Sequence, residues 1–143
     1  MSRESCVTAT EKRYWLSTAV SFVVSGHDLQ PEEVTALLGI EPTGTRSPGP
    51  SRWSRPGDTD GLWGIRCDSN LTHDFREQLA HVLSIMESKK DELTRLVGRG
   101  YDVTVDFYGF AGNDCVLTLR PDEVERIAAL GFPLKVAANM NER

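Results

Sequence analysis

The chain is short of the residues from which active sites are usually built. Among its 143 residues are 3 cysteines and 3 histidines. Cys6, Cys67 and Cys115 are odd in number, widely spaced and without a C-x-x-C pair, so neither a disulfide framework nor a zinc pattern is legible. No apolar run approaches the ~18 residues of a membrane span. The start, MSRESCVTATEKRYW, has no apolar stretch of the kind a signal peptide carries. Both absences point to a reducing cytoplasm. Positive charge is also scarce: 16 basic residues against 21 acidic ones leave a net charge of −5. Polyanion binding relies on a clustered basic surface, so nucleic acid is not an expected partner. A glycine-rich phosphate cradle, a G-x-S-x-G elbow and an H-E-x-x-H pair are all missing. No catalytic residue, metal ligand or cofactor is therefore assigned.

What is present is a regular pattern of strands and helices. The length suits one domain, expected over residues 15–143 behind a flexible arm at 1–14. Residues 17–25 alternate, with Val20, Phe22 and Val24 on one face, which predicts a strand. Pro31, Glu32, Glu33 and Val34 open a helix that Gly39 closes, since proline suits the first helical position and glycine the left-handed cap. Residues 42–61 are rich in Pro, Gly, Ser and Arg and predict a long loop. A strand at 62–67 follows, then one helix over 71–97, about 40 Å long at 1.5 Å per residue. Its stripe is Phe75, Leu79, Val82, Met86, Leu93 and Leu96, with a polar break at Lys89 and Lys90. A strand at 101–110 turns through Gly112 and Asn113 into a second strand at 115–119. A third helix starts at Pro121, and a last strand covers 132–138. Cys67 and Cys115 fall in strand patterns, where a thiol acts as a small hydrophobe.

Two stretches repeat: Leu29-Gln30-Pro31-Glu32-Glu33-Val34 and Leu119-Arg120-Pro121-Asp122-Glu123-Val124. Each leads through a helix to a glycine, and helix capping is a sufficient reason for the likeness. The element order predicts an α+β two-layer sandwich. From residue 62 it reads as ferredoxin-like βαββαβ with an extra N-terminal βα unit, a mostly antiparallel sheet and helices on one face.

The stretch from Ser25-Gly26-His27-Asp28 through Leu38-Gly39-Ile40-Glu41-Pro42-Thr43 resembles the bacterial "domain of unknown function 4279" family. Its L-x-P-x-x-[IV] and L-G-[IL]-x-P-T segments, Gly61-Leu62-Trp63, the Gly100-Tyr101 restart and the closing L-x-P helix before Leu130-Gly131 carry the likeness over most of residues 17–139. In this chain the 46–60 loop is less regular than in the family. The resemblance implies a small cytoplasmic bacterial protein, with an immunity-type, toxin-neutralising role among the expectations. It brings no catalytic residues.

Four groups of residues invite a chemical reading. Arg46, Arg52 and Arg55 surround Trp53 in the long loop, a combination better suited to a protein contact than to nucleic acid. His73, Glu77 and His81 are spaced for a helix, but the two histidines stand about 12 Å apart, too far for one ion. Asp102 and Asp106 share a strand face about 13 Å apart, too far for a paired acid and base, and Asp114 lies by a turn. The outward sheet face combines Thr104, Asp106, Tyr108 and Phe110 with Arg66, Thr118 and Lys135. Polar groups mixed with aromatics suit an interface. The sequence thus points to a non-catalytic domain that binds another protein, with regulation as a further role and a homodimer as a further state. Its candidate site is Arg46, Trp53, Arg66, Thr104, Asp106, Tyr108 and Phe110. The alternative is a small-molecule-binding or enzymatic domain with a pocket between the sheet and the 42–61 loop.

Overall fold

Alternation of apolar and polar residues decides how the sheet is built. The computed structural model describes residues 16–49, 60–68, 70–110 and 116–139, the side chains at 16, 17, 110 and 139 excepted. Five strands form one sheet: β1 (Leu16–Gly26), β2 (Gly44–Arg46), β3 (Gly61–Cys67), β4 (Asp102–Phe110) and β5 (Leu134–Asn139). They lie in the order β2-β3-β1-β4-β5. β1 is antiparallel to both of its neighbours, and β2 is antiparallel to β3. β5 runs parallel to β4, joined to it through a helix, as a parallel pair requires.

Three cross-strand rows form the floor of the core. They are Cys67–Val20–Phe107, Ile65–Phe22–Val105 and Trp63–Val24–Val103. Val20, Phe22, Val24 and Trp63 are each 0% exposed. Four helices supply the roof: α1 (Pro31–Leu38), α2 (Phe75–Ser88), α3 (Lys90–Gly98) and α4 (Pro121–Leu130). Val34 and Leu38 of α1, Leu79, Val82, Leu83 and Met86 of α2, Leu93 and Leu96 of α3, and Ile127 and Leu130 of α4 join the strand residues in a single cluster. All four helices therefore cover the same sheet face. Trp63 adds a polar tie, its Nε1 donating to Thr35 Oγ1 at 2.9 Å and locking β3 to α1. Phe75 meets Phe107 edge-on with ring centroids 5.2 Å apart.

The repeated segment is a capping device, as its composition suggests. Both α1 and α4 start on a proline and stop on a glycine in the left-handed region, Gly39 at φ 73° and Gly131 at φ 81°. The two copies differ in what they bury. Val34 lies in the core, whereas Val124 is exposed and Glu123 is buried instead.

Several expectations are corrected. The expected helix over 71–97 starts at Phe75, because Asp74 accepts from the Arg76 N–H and caps it. It breaks at Lys89, whose backbone (φ −114°, ψ 18°) leaves the helix while its N–H is shared by Ile85 O and Met86 O. The break turns α2, which lies on β1 and β3, into α3, which lies on β4. Lys90 Nζ then donates to Ala129 O at 2.8 Å, a cation at the negative end of α4. Of the strand expected at 115–119, the described residues show a bridge at Val116 and irregular backbone over 117–120. Residues 111–115, including the Gly112-Asn113 turn, lie outside the described residues. The edges of β4 are taken by β1 and β5, so the sheet is mixed and its strands do not spell the ferredoxin-like order. β2 lies inside the segment expected to be all loop; three residues carry too little alternation to be read as a strand. The 1–14 arm also lies outside the described residues.

One close approach sets the exit of β1. Gly61 pairs with Gly26, and a Cβ on Gly61 would lie 2.0 Å from the Leu29 carbonyl oxygen. Backbone cannot yield there as a side chain would. Gly61→Ala is expected to lower stability by about 2–3 kcal/mol. Gly44→Ala, where a Cβ meets nothing within 4 Å, should stay within about 0.5 kcal/mol of the native protein. Urea unfolding of the two variants checks both outcomes.

Candidate functional site

Because one parity of each strand faces the helices, the other parity defines a second sheet face. Its rows are Arg46–Leu62–Ser25–Asp102, Gly44–Gly64–Val23–Thr104, Arg66–Ser21–Asp106–Lys135 and Ala19–Tyr108–Ala137. Arg46, Arg66, Thr104, Asp106 and Tyr108 are thus brought onto one sheet face from three strands, with Arg66 and Tyr108 exposed, Asp106 half-buried and Thr104 buried. Phe110 pairs with Asn139 at the end of β4 through its backbone. Trp53, Arg52 and Arg55 lie outside the described residues.

The charges on this face are arranged in a line. Arg66 and Asp106 flank Ser21 at two strand spacings, about 10 Å, and Lys135 follows Asp106 on the next strand. Thr104 Oγ1 donates to Asp106 Oδ1 at 2.7 Å, which fixes the carboxylate along β4. The Arg66 Nε lies 3.3 Å from Asp68 Oδ2, and its backbone N–H donates to Thr43 Oγ1. Arg46 Nε donates to the Asp60 carbonyl at 3.0 Å, closing the neck of the long loop. Tyr108 is 39% exposed beside the line. Asp102 and Asp106 stand two rows apart, as the strand spacing requires. The arrangement offers complementary charges and an aromatic to a partner surface.

The other expected groups separate. His73 precedes α2 and is exposed, while Glu77 accepts from Thr72 Oγ1 at 2.6 Å. Thr118, expected on the sheet face, instead gives its carbonyl to Arg76 Nη2 at 3.1 Å. Among the described residues no group of three or more His, Cys, Asp or Glu converges as a metal site would require. Cys67 is buried in the core rows; burial pushes its thiol pKa up and the neighbouring Asp68 charge adds to this. Such a thiol is packing material rather than a nucleophile.

Two hollows lie outside this surface or at its rim. One, of about 410 Å³, is walled by Thr18, Phe75, Arg76, Leu117 and Arg120. The other, about 570 Å³, opens where β4 and β5 part, between Tyr101, Thr104, Leu130, Phe132 and Lys135.

Two polar constellations were not legible as such. Gln78 is 0% exposed, yet its Nε2 donates to Thr18 O (3.1 Å) and Thr72 O (2.8 Å) and its Oε1 accepts from Thr18 Oγ1 (3.0 Å). A glutamine one residue before Leu79 reads as solvated in the pattern. Glu123 accepts from both the Arg120 N–H (2.7 Å) and Arg76 Nη1, tying α4 to the start of α2. The third-position glutamate after a helix start is the sequence signal for the first of these bonds.

An α+β domain whose four described helices lie on one sheet face, with a charged, aromatic-bearing surface on the other, is therefore the class of protein at hand. A family model described as a domain of unknown function (DUF4279) matches residues 16–141, and the chain belongs to that family. No curated protein and no solved structure matches the chain. Among the described residues no helix is long and apolar enough to cross a membrane.

The Glu123 contacts predict a pH dependence. Burial works to raise its pKa, but the Arg76 and Arg120 bonds outweigh it and hold the carboxyl below the usual glutamate range. Its folded pKa being depressed, the stabilisation is present above the unfolded value of about 4.3 and is lost as pH falls through the folded value. Glu123→Gln is expected to cost about 1–3 kcal/mol at pH 7. It should also flatten the stability loss between pH 7 and 3, as measured by urea unfolding at each pH.

Proposed function

We propose that this chain is a non-catalytic protein-binding domain of the bacterial cytoplasm, whose role is regulatory or immunity-like, neutralising a toxin by contact. The observation that supports the reading is the sheet face that no helix among the described residues covers, where Arg66, Asp106 and Lys135 form a line beside exposed Tyr108. Charges of both signs on a rigid sheet favour one partner and repel others, and a tyrosine among them is a typical anchor. Arg46 lies on the same face, Thr104 is buried and acts by holding the Asp106 carboxylate, and Trp53 and Phe110 enter the proposal from the sequence alone. Used as baits on cytoplasm from the source cell, the native protein and Val124→Ser, which alters α4, should retain the same partner. Tyr108→Ala and Asp106→Arg should lose it. Equal capture by all four baits, or none by any, would remove the reading.

A second reading rests on the hollow at the parting of β4 and β5. Its volume of about 570 Å³ is within the range of small-molecule sites. Tyr101 and Phe132 would wall an apolar body while Lys135 met an anionic group. A thermal-shift series of aliphatic and aromatic carboxylates should stabilise the native protein, with the gain abolished in Lys135→Ala. A series without any shift sinks this reading.

A further inference from the structure

We propose that β5 pairs with β5 of a second copy of this chain, antiparallel and about a twofold axis normal to the sheet. Among the described residues β5 is the edge strand beyond β4. Parallel strands are ordinarily buried on both faces, yet all of residues 134–138 are exposed and none joins the core cluster. Leu134 is 37% and Val136 54% exposed, both on the helix side of the sheet.

The backbone phase singles out what the edge offers. The Val105 N–H donates to Pro133 O at 2.9 Å. In a parallel ladder this turns residues 133, 135 and 137 toward β4 and leaves the N–H and C=O groups of Leu134, Val136 and Ala138 pointing outward. Such an edge calls for a strand.

The side chains say which strand. Centring the axis on Val136 sets Val136 opposite its own copy, Leu134 opposite Ala138 and Lys135 opposite Ala137, so the two larger flanking residues each meet an alanine. About six backbone hydrogen bonds would then form in alternating pairs. A register centred on Lys135 would oppose two like charges and is disfavoured. Within each copy Lys135 is aligned with Asp106, which offsets its charge at the seam. The apolar pairs Leu134 and Val136 from both copies close into one patch on the helix side, where each copy alone leaves them in water.

Proline separates the interface from the fold. At position 136 it removes an outward N–H, and at 137 one that belongs to the ladder with β4. Sedimentation velocity from about 1 to 200 μM should show the native protein converting from monomer to dimer, and Val136→Pro remaining monomeric with unchanged circular dichroism and melting temperature. Ala137→Pro should instead lower the melting temperature. Residue-resolved hydrogen exchange at the highest concentration should protect the Leu134 and Ala138 amides at least tenfold more in the native protein than in Val136→Pro. A native protein that stays monomeric throughout, or a dimer indifferent to Val136→Pro, overturns the proposal.

Discussion

β1 has a strand on each side and helices over one face, and its parity governs everything attached to it. Val20, Phe22 and Val24 lie under the helix layer because they alternate with Ser21, Val23 and Ser25. A slip of one residue would exchange the two sets and bring serines into the core. The same parity passes through the ladders to β3 and β4, where Ile65, Cys67, Val105 and Phe107 turn inward. Arg66 and Asp106 therefore face outward as a direct consequence of how the core is packed. The candidate surface and the hydrophobic core are two sides of one constraint.

The helix layer is held to this sheet by a few polar ties at its ends as well as by apolar contact. Gln78 sits where α2 crosses the start of β1, and its amide donates to Thr18 O and Thr72 O and accepts from Thr18 Oγ1. A buried amide left without partners costs about 1–3 kcal/mol, so these bonds select one position of α2 among many that would satisfy the apolar stripe. Arg76 joins α2 to Glu123, Arg126 holds Glu87 across α4 and α2 through two bonds of 2.8 and 2.9 Å, and Lys90 reaches the end of α4. The Arg126–Glu87 pair is largely solvated, so its contribution is small, about 0.5 kcal/mol. Its main effect is to orient α4 over α2.

The surface line and the β5 edge meet at Lys135. An axis normal to the sheet would place two copies of the line side by side and keep every helix on the opposite face. Protein recognition by the sheet and self-association through its edge are therefore compatible, because one uses side chains above the sheet and the other backbone groups in its plane. The hollow between Tyr101 and Phe132 lies at the same end, where β4 pairs with β1 on one side and β5 has yet to begin on the other.

Local signals carried most of the elements and half of the surface. Strand alternation placed Thr104, Asp106 and Tyr108 on one face of β4, and proline and glycine marked both ends of α1 and α4, because these features depend on backbone geometry within a few residues. The same signals could not tell that β1 would separate β3 from β4, since strand pairing is settled by which apolar faces the helices can cover together. Thus the chain by itself determined a β-rich half-buried sheet, capped helices and the outward parity of Arg66 and Asp106. The tertiary structure alone decided that these two residues share a row across Ser21, that Gln78 and Glu123 are buried and paired, and that the helix expected over 71–97 bends at Lys89. Those outcomes depend on contacts between segments tens of residues apart, where the energy lies in pairing and burial rather than in any local preference.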